Sequence, residues 1–184
     1  MERRTERLLI RDFKFDDWKA VHLYASDPTV TTHMIWGPNA EADTQSYVGR
    51  MAEMQEQFPR TVYELAMTLP SDGTLIGGVG LHVVSAGIGE VGYCLNPQYW
   101  RRGFASEAAR EMLRFGFVEL GLHRIYATCR PGNVGSAAVM KSIGMTYEGH
   151  LRGHLFAKGA WHDSYQYSIL ADEWMGRGDA NDRE

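Results

Sequence analysis

The sequence predicts a single mixed α/β (α+β) domain in which helices cover both faces of a central mixed sheet of about seven strands. Apolar residues alternate in some segments and follow helical spacing in others, in the order β-α-α-β-β-β-α-β-α-β-β. A chain of 184 residues suits one domain, and 44% hydrophobic with 23% charged residues suits one packed core. We expect the domain to span residues 1–174 and the polar, glycine-rich segment 175–184 to be a disordered tail.

The first part of the chain predicts one strand, two helices and an apolar connector. Alternation favours a strand over about residues 7–14, and helical spacing begins at Asp16. A second helix begins near Asp43. The connector between the two helices, residues 31–39, is unusually apolar and contains Trp36.

The remainder predicts an antiparallel meander followed by alternating helices and strands. The expected elements are strands at 62–69, 75–84 and 88–95, a helix at 105–120, a strand at 123–129, a short helix at 133–143 and a hairpin of 145–155 with 161–170. A two-residue turn at 158–159 would place Phe156 opposite Trp161 and His154 opposite Asp163.

Charge and cysteine content exclude several classes of protein. With 19 Lys+Arg against 23 Asp+Glu, the net charge of −4 lacks the basic excess typical of proteins that bind nucleic acids or anionic membranes. Two cysteines cannot form a disulfide scaffold, and no apolar leader follows the basic N-terminus, so we expect a cytoplasmic protein. The most apolar window, residues 75–84, is far shorter than the roughly 20 residues of a membrane-spanning helix.

A strand, a basic glycine turn and a helix start follow one another between Glu90 and Glu107. A helix N-terminus offers free N–H groups and a positive dipole end, while Arg101, Arg102 and Gly103 add charge and close backbone approach. This arrangement predicts a pyrophosphate site, and the alternative is that the arginines merely solvate the helix start. The motif G-x-x-x-x-G-K-[ST] is missing from the sequence, and residues 78–80 lack the third glycine of a dinucleotide fingerprint.

The element order and the segment Tyr99-Trp100-Arg101-Arg102-Gly103-Phe104-Ala105-Ser106-Glu107-Ala108 resemble the GNAT superfamily of acetyl-CoA-dependent N-acetyltransferases over residues 7–174. The family loop [QR]-x-x-G-x-[GA] reads here as residues 100–105, with Trp100 in place of Gln or Arg. Tryptophan at this position resembles the ribosomal-protein N-terminal (RimJ/RimL-like) acetyltransferase branch. Further likeness to that branch lies in Glu90-Val91-Gly92-Tyr93, Asn133 with Ser136, Glu148-Gly149 and Gly159 with His162-Asp163.

The resemblance implies that acetyl-CoA is the co-substrate and that three segments bind it. Loop amides would hold the pyrophosphate, the preceding strand end would pair with the pantetheine arm, and the short helix would flank the thioester. The implied residues are Cys94, Leu95, Arg101, Arg102, Gly103, Phe104, Ala105, Ser106, Asn133 and Ser136. For Asn133 and Ser136 the alternative is plain helix capping, and both roles can coexist.

Two residues are the predicted catalytic groups. Glu90 stands on the strand where several GNAT enzymes carry a glutamate base, and alternation puts it on the same face as Cys94; its alternative role is a surface ion pair. Met140 occupies the usual position of a tyrosine acid, so the role of hydrogen-bonding the departing sulfur passes to Ser136. Leu155 stands where the ribosomal-protein branch has a proposed glutamate base. A route through an acetylated Cys94 is disfavoured, because buried strand cysteines are usually inert.

The predicted acceptor contacts are Trp36 and His82. The ring of Trp36 can hold an amine by a cation–π contact or can plug the core, and His82 can assist the base through water or be a plain surface histidine. No metal site is expected, because His150 and His154 on one strand would lie about 13 Å apart.

The leading functional hypothesis is acetyl transfer from acetyl-CoA to a primary amine by direct attack in a ternary complex. The branch resemblance favours the α-amino group of a protein or peptide. The alternatives are a small amine, such as a polyamine, amino acid or aminoglycoside, and a non-catalytic acyl-CoA-binding sensor. Phe156 and Trp161 belong either to the core or to a homodimer surface.

Overall fold

A computed structural model describes residues 1–181, with side chains through residue 176, as one sheet packed between helices. Within this range the sheet has eight strands in the order β1-β2-β3-β4-β5-β6-β8-β7. The strands are β1 Glu2–Arg4, β2 Leu9–Asp12, β3 Val62–Thr68, β4 Leu75–Ser85, β5 Ile88–Leu95, β6 Arg124–Cys129, β7 Thr146–Ala157 and β8 Ala160–Leu170. The helices are α1 Trp18–Ala25, α2 Pro28–Thr31, α3 Glu41–Met54, α4 Phe104–Arg114, α5 Val134–Ser142 and α6 Ala171–Asn181.

The predicted mixed sheet is confirmed, with one more strand than the sequence indicated. Strand β1 pairs antiparallel with β2, so that Arg3 lies opposite Ile10. Strand β1 consists of charged residues, which are typical of an edge strand. Because it has no alternation of apolar and polar residues, the sequence pattern did not predict it. The strand expected at 7–14 is the shorter β2, and the helix expected near Asp43 begins at Glu41.

Helices lie on both faces of the sheet, as predicted, but they bury two apolar clusters rather than one core. One cluster lies under α4 and α5 and includes Met112, Leu113 and Met140, all fully buried. The other lies under α1 and α3 and includes Val21 and Val48. No helix within residues 1–181 is long and apolar enough to cross a membrane.

The end of the chain differs from the disordered tail expected at 175–184. Helix α6 runs to Asn181, while residues 182–184 lie outside the described part of the chain. The helix start is held because Leu170 N donates to the Glu173 carboxylate at 3.0 Å, and Trp174 packs on Phe117 with ring centroids 6.0 Å apart. These two contacts stabilise the start of a helix that the polar composition of the segment does not predict.

The hairpin of β7 and β8 follows the predicted register only near its turn. Phe156 lies opposite Trp161, as predicted. The pairing of His154 with Asp163 is wrong, because the register shifts between Leu151 and Leu155. The ring of His150 pairs with Asp163 at 2.6 Å instead. A bulge inserts extra residues on one strand, and the turn cannot fix the register beyond it.

Strands β5 and β6 separate part-way along their length. They pair in parallel from Ile88–Arg124 to Glu90–Tyr126, and no further pair joins them within the described residues. Strand β5 nevertheless continues to Leu95, still paired with β4, and β6 continues to Cys129. The result is a wedge-shaped opening in the sheet between the ends of β5 and β6.

Candidate active site

A cavity of about 1640 Å³ occupies the opening between β5 and β6 and continues onto the face covered by α1 and α3. Ordinary small-molecule pockets measure about 300–1,000 Å³. Its walls come from the ends of both strands, the starts of α4 and α5, helix α3 and the connector at 31–39. The cavity is therefore large enough for two substrates that meet at the separated strands.

The start of α4 has the backbone geometry that an anion site requires. Gly103 caps the helix at φ +81°, and Arg101 also takes a positive φ of +59°. The first intrahelical bond runs from Glu107 N to the Gly103 carbonyl at 3.0 Å. In the described part of the chain, the preceding amides of residues 104–106 have no protein acceptor. These free N–H groups and the positive helix end suit a pyrophosphate.

Arg7 holds the loop in this shape from outside the cleft. Its Nη1 donates to the Arg102 carbonyl at 2.9 Å, and its Nε donates to the Glu107 carboxylate at 2.7 Å. Thr5 Oγ1 donates to the same carboxylate at 2.6 Å. Burial alone would raise the pKa of Glu107, but the hydrogen bonds from Thr5 and Arg7 outweigh it and lower the pKa. Sequence reasoning missed Arg7, because it lies about a hundred positions from its partners.

The loop side chains divide between the cleft and its surroundings. Residues 103–106 and Arg101 line the cleft, as the resemblance implied. Arg102 does not line it, because its guanidinium lies 5.6 Å from the ring centroid of Tyr99. Trp100, at the position where the family loop has Gln or Arg, donates its ring N–H to the Leu95 carbonyl at 2.9 Å. This bond ties the loop to the end of β5.

Cys94 and Leu95 line the cleft at that strand end. Burial, with a smaller contribution from Glu64, raises the pKa of the Cys94 thiol to about 12. The thiol therefore stays protonated near neutral pH and is a poor nucleophile.

Asn133 and Ser136 line the other wall at the start of α5. The Asn133 side chain accepts from Ser136 N at 3.0 Å, so the capping role is present. Tyr93, which sequence reasoning passed over, donates to the Ser136 carbonyl at 3.0 Å and lies 3.1 Å from Ser136 Oγ. Burial raises the pKa of Tyr93 even though the Ser136 contact opposes it, so the phenol keeps its proton. Met140 is fully buried in the core.

Glu90 lies on the cleft floor where β5 leaves β6. The Tyr126 hydroxyl of β6 donates to its carboxylate at 3.3 Å. The alternative role of Glu90, a surface ion pair, requires a Lys or Arg partner. Among the described residues no Lys or Arg forms an ion pair with Glu90. The Glu90 carboxylate therefore lines the cleft without a Lys or Arg partner among the described residues.

A second carboxylate, Glu64 of β3, lines the same floor. Its Oε1 lies 2.7 Å from His82 Nε2, and its Oε2 accepts from the Tyr47 hydroxyl at 3.4 Å. His82 lies opposite Glu90 on β4 but is not among the cleft-lining residues, so it reaches the floor through Glu64. The hydrogen bond that His82 makes to Glu64 raises the pKa of His82, against the effect of burial. Sequence reasoning missed Glu64. The feature that could have indicated it is a single acidic residue in the largely apolar strand β3.

Glycines keep this floor free of side chains. Gly80 lies between Glu64 and Gly92 across the three strands. A Cβ on Gly80 would approach the Glu64 carboxylate oxygen to 2.5 Å, whereas a Cβ on Gly92 would meet nothing within 4 Å. The Glu64 carboxylate therefore lies flat above β4, beside open space over β5.

Trp36 forms part of the wall opposite the floor. It lines the cleft and is 36% exposed, so it is a wall residue rather than a core plug. The connector that carries it is fixed at both ends, because Asn39 N donates to the Ala25 carbonyl at 3.0 Å and Lys158 Nζ donates to the Thr31 carbonyl at 2.7 Å. The described residues contain no group of three or more His, Cys, Asp or Glu side chains suited to a metal ion.

Comparison with known proteins identifies this architecture. Residues 7–146 match the model of the acetyltransferase (GNAT) domain. The chain belongs to the GNAT acetyltransferase family. The N-acetyltransferase YnaD of Bacillus subtilis (strain 168), itself uncharacterized, is 40% identical over 177 residues, covering 92% of this chain and 97% of YnaD.

Two further relatives extend the comparison. The crystal structure of a GNAT-family acetyltransferase from Bacillus anthracis has a TM-score of 0.84 at 38% identity, covering 94% of this chain and all of that one. YdaF of Bacillus subtilis (strain 168), whose name proposes a ribosomal N-acetyltransferase, is 35% identical over 107 residues, covering 57% of this chain and 58% of YdaF. This GNAT protein is accordingly an N-acetyltransferase that uses acetyl-CoA, and the amides of α4 fit its pyrophosphate.

Proposed function

We propose that this enzyme transfers acetyl from acetyl-CoA to the α-amino group of a protein or peptide by direct attack in a ternary complex. The observation that carries the proposal is Glu90, a carboxylate without a Lys or Arg partner among the described residues, on the cleft floor beside the separated strands. The amine nitrogen forms a bond to the acetyl carbonyl carbon, and the carbon–sulfur bond breaks. Glu90 takes the proton that the amine loses, directly or through one water.

Ser136 acts on the departing sulfur. Its Oγ lies beside the protonated phenol of Tyr93, and both line the cleft. A hydroxyl at this position donates to the sulfur as negative charge develops there. Free coenzyme A leaves as the thiol or thiolate, and Met140 takes no part because it is buried.

The peptide acceptor is supported by the size of the cleft and by its polar rim. Beyond the start of α4, the cavity extends along α3, where Asp43, Ser46 and Arg50 line it. Polar side chains along an extended groove suit a peptide backbone better than one compact amine. The name of YdaF and the resemblance to the ribosomal-protein branch agree with this acceptor.

A small cationic amine is the second candidate acceptor. The observation in its favour is the pair of carboxylates, Glu64 and Glu90, on one cleft floor. A non-catalytic acyl-CoA sensor has no need of either carboxylate, and so it ranks below both enzymatic candidates.

The acceptor is tested by following acetyl-CoA-dependent release of free thiol. The panel contains peptides that begin with Ser, Ala or Met, together with polyamines, amino acids and aminoglycosides. We expect turnover with peptides, with the acetyl group on the α-nitrogen by mass spectrometry. Turnover with small amines alone would select the second candidate, and acetyl-CoA binding without any turnover would support the sensor.

We also propose that the enzyme is a cytoplasmic homodimer. Phe156 and Trp161 on the hairpin are 62% and 69% exposed, and their rings stack edge to face 5.4 Å apart. An exposed aromatic pair supports self-association. Cys94 and Cys129 are both free, which supports a reducing compartment. Light scattering of the wild type and of Trp161→Ser tests the dimer, which the variant is expected to weaken.

A further inference from the structure

Glu64 and Glu90 lie on the same face of the sheet but lean in different directions. Pairing puts Glu64 opposite Gly80 and Gly92, two residues along β5 from Glu90. The Glu64 carboxylate lies above β4, close to Gly80, whereas Glu90 accepts from Tyr126 on β6. The two residues are two strands apart, so two strand spacings of about 4.8 Å and an offset of about 6.6 Å along the strands separate their Cα atoms by roughly 12 Å. One ammonium cannot contact both at hydrogen-bond distance.

The Glu64 carboxylate is held in a fixed orientation. His82 contacts one oxygen at 2.7 Å, and the Tyr47 hydroxyl contacts the other at 3.4 Å. The Glu64 side chain is only 22% exposed, and the buried Tyr24 of α1 and the partly buried Tyr47 of α3 lie close to it. A carboxylate fixed in such surroundings interacts with a cation more strongly than one in water.

The negative charge of Glu64 is not cancelled by a permanent cation. Among the described residues its only basic partner is His82, which carries charge only when protonated. A partly buried carboxylate has a desolvation cost that a Lys or Arg partner would offset and that an apolar residue would avoid. An unneutralised carboxylate on the floor of a substrate cleft is instead suited to a cationic ligand.

We infer that Glu64 forms a subsite for a second positive charge on the acceptor, separate from the carboxylate that receives the reacting amine. The inference rests on the proposed role of Glu90 at that amine. The preferred acceptor is a primary amine that carries another cation. In a peptide this is a basic side chain next to the N-terminal residue, and in a small molecule it is the far end of a diamine.

The test compares acceptors that differ only in the second charge. One pair is Ser-Lys-Ala-Ala and its uncharged counterpart with norleucine at the second position, and the other is 1,4-diaminobutane and butylamine. Each is measured with the wild type, with Glu64→Gln and with the control Glu53→Gln, whose exposed carboxylate on α3 does not line the cleft. Binding of acetyl-CoA, followed as a rise in Tm, verifies that each variant is folded.

We expect the wild type to favour the charged member by about tenfold or more in kcat/KM, mainly through KM. Glu64→Gln should remove that preference, so that charged and uncharged acceptors react with similar kcat/KM, whereas Glu53→Gln should keep it. An equal loss on charged and uncharged acceptors in Glu64→Gln, or no preference in the wild type, overturns the inference. If Glu64→Gln does not fold, Glu64→Asp replaces it, and the shorter side chain should weaken the preference selectively.

The same experiment separates this inference from the proposed function. Acetylation of both peptides at equal efficiency refutes the subsite and leaves the peptide acceptor standing. Acetylation of amines alone, with a diamine preference that Glu64→Gln abolishes, refutes the peptide acceptor and supports the subsite.

Discussion

Arg7, in the turn between β1 and β2, donates a hydrogen bond of 2.9 Å from its guanidinium to the carbonyl of Arg102, in the loop before α4. The bond fixes a backbone carbonyl in the loop that precedes α4. Arg7 also pairs with Glu107 in the first turn of α4. Together these contacts connect the N-terminal segment to the anion site.

Replacing Arg7 should therefore weaken acetyl-CoA binding. Arg7→Gln is expected to raise the Kd for acetyl-CoA by about tenfold, because a charged hydrogen bond contributes about 1.5 kcal/mol and the loop loses its fixed shape. Calorimetric titration measures the change. Arg4→Gln, at an exposed arginine whose Glu2 contact is 3.6 Å long, is the matched control and should bind normally. Equal affinity of Arg7→Gln and wild type would contradict a role for Arg7 at the loop.

Ser136 should affect turnover more than binding. Ser136→Ala is expected to lower kcat by about tenfold with little change in the KM for acetyl-CoA, since the lost hydrogen bond acts on charge that develops during reaction. Tyr93→Phe should have a smaller effect, because the backbone carbonyl of Ser136 takes part of its hydrogen bond. Steady-state kinetics with both substrates varied distinguishes the two parameters. A rise in KM alone would reduce Ser136 to a helix-cap and binding residue.

Cys94 should be dispensable for chemistry. The pKa of its thiol is raised to about 12 by burial, so the thiolate that a ping-pong route needs is scarce. Cys94→Ser should keep more than half of the wild-type kcat, and the wild type mixed with acetyl-CoA alone should show no covalent acetyl group by intact-mass spectrometry. Loss of all turnover in Cys94→Ser together with an acetylated wild-type enzyme would require a double-displacement mechanism.

Glu148 should increase the free energy of unfolding at pH values above the pKa that its carboxyl group has in the unfolded chain. The hydrogen bond from Arg124 lowers the pKa of Glu148 from 4.5 to about 2, against the effect of burial and with help from Gln166 and Ser168. A depressed carboxylate pKa stabilises the folded state above the unfolded-state pKa, and that contribution disappears as the pH falls from 4.5 towards 2. Urea unfolding across this range should show a flatter pH dependence for Glu148→Gln than for wild type. Glu56→Gln, at an exposed carboxylate of the loop after α3, should follow the wild type.

The Glu64 subsite should respond to pH through His82. The groups facing Glu64 are His82, Glu90 and Cys94 on the sheet, Tyr47 on α3 and Tyr24 on α1. Burial raises the pKa of both tyrosines and of Cys94, so they stay neutral near pH 7, whereas the hydrogen bond to Glu64 raises the pKa of His82. The preference for doubly charged acceptors should grow as the pH rises through the His82 pKa, because protonated His82 neutralises Glu64. His82→Gln should make the preference independent of pH, as measured by kcat/KM profiles.

The sequence was most informative where the site is contiguous. The turn at Arg101 and Gly103 and the helix start after it follow from local backbone chemistry, and the structure has them as expected. Arg7 and Glu64 could not be placed in this way, because they meet the site only through strand register and contacts across the fold. His154 was misplaced for a related reason, since a bulge changes the register without a sequence signal beyond Gly153.

The role of Glu90 is tested most directly by the turnover of Glu90→Gln at saturating acetyl-CoA and peptide, followed as thiol release across pH 6 to 9. The amide keeps the shape of the side chain but cannot accept a proton. We predict a kcat at least about a hundredfold below wild type, with acetyl-CoA affinity preserved. A Glu90→Gln enzyme with wild-type kcat throughout this range would contradict Glu90 as the base.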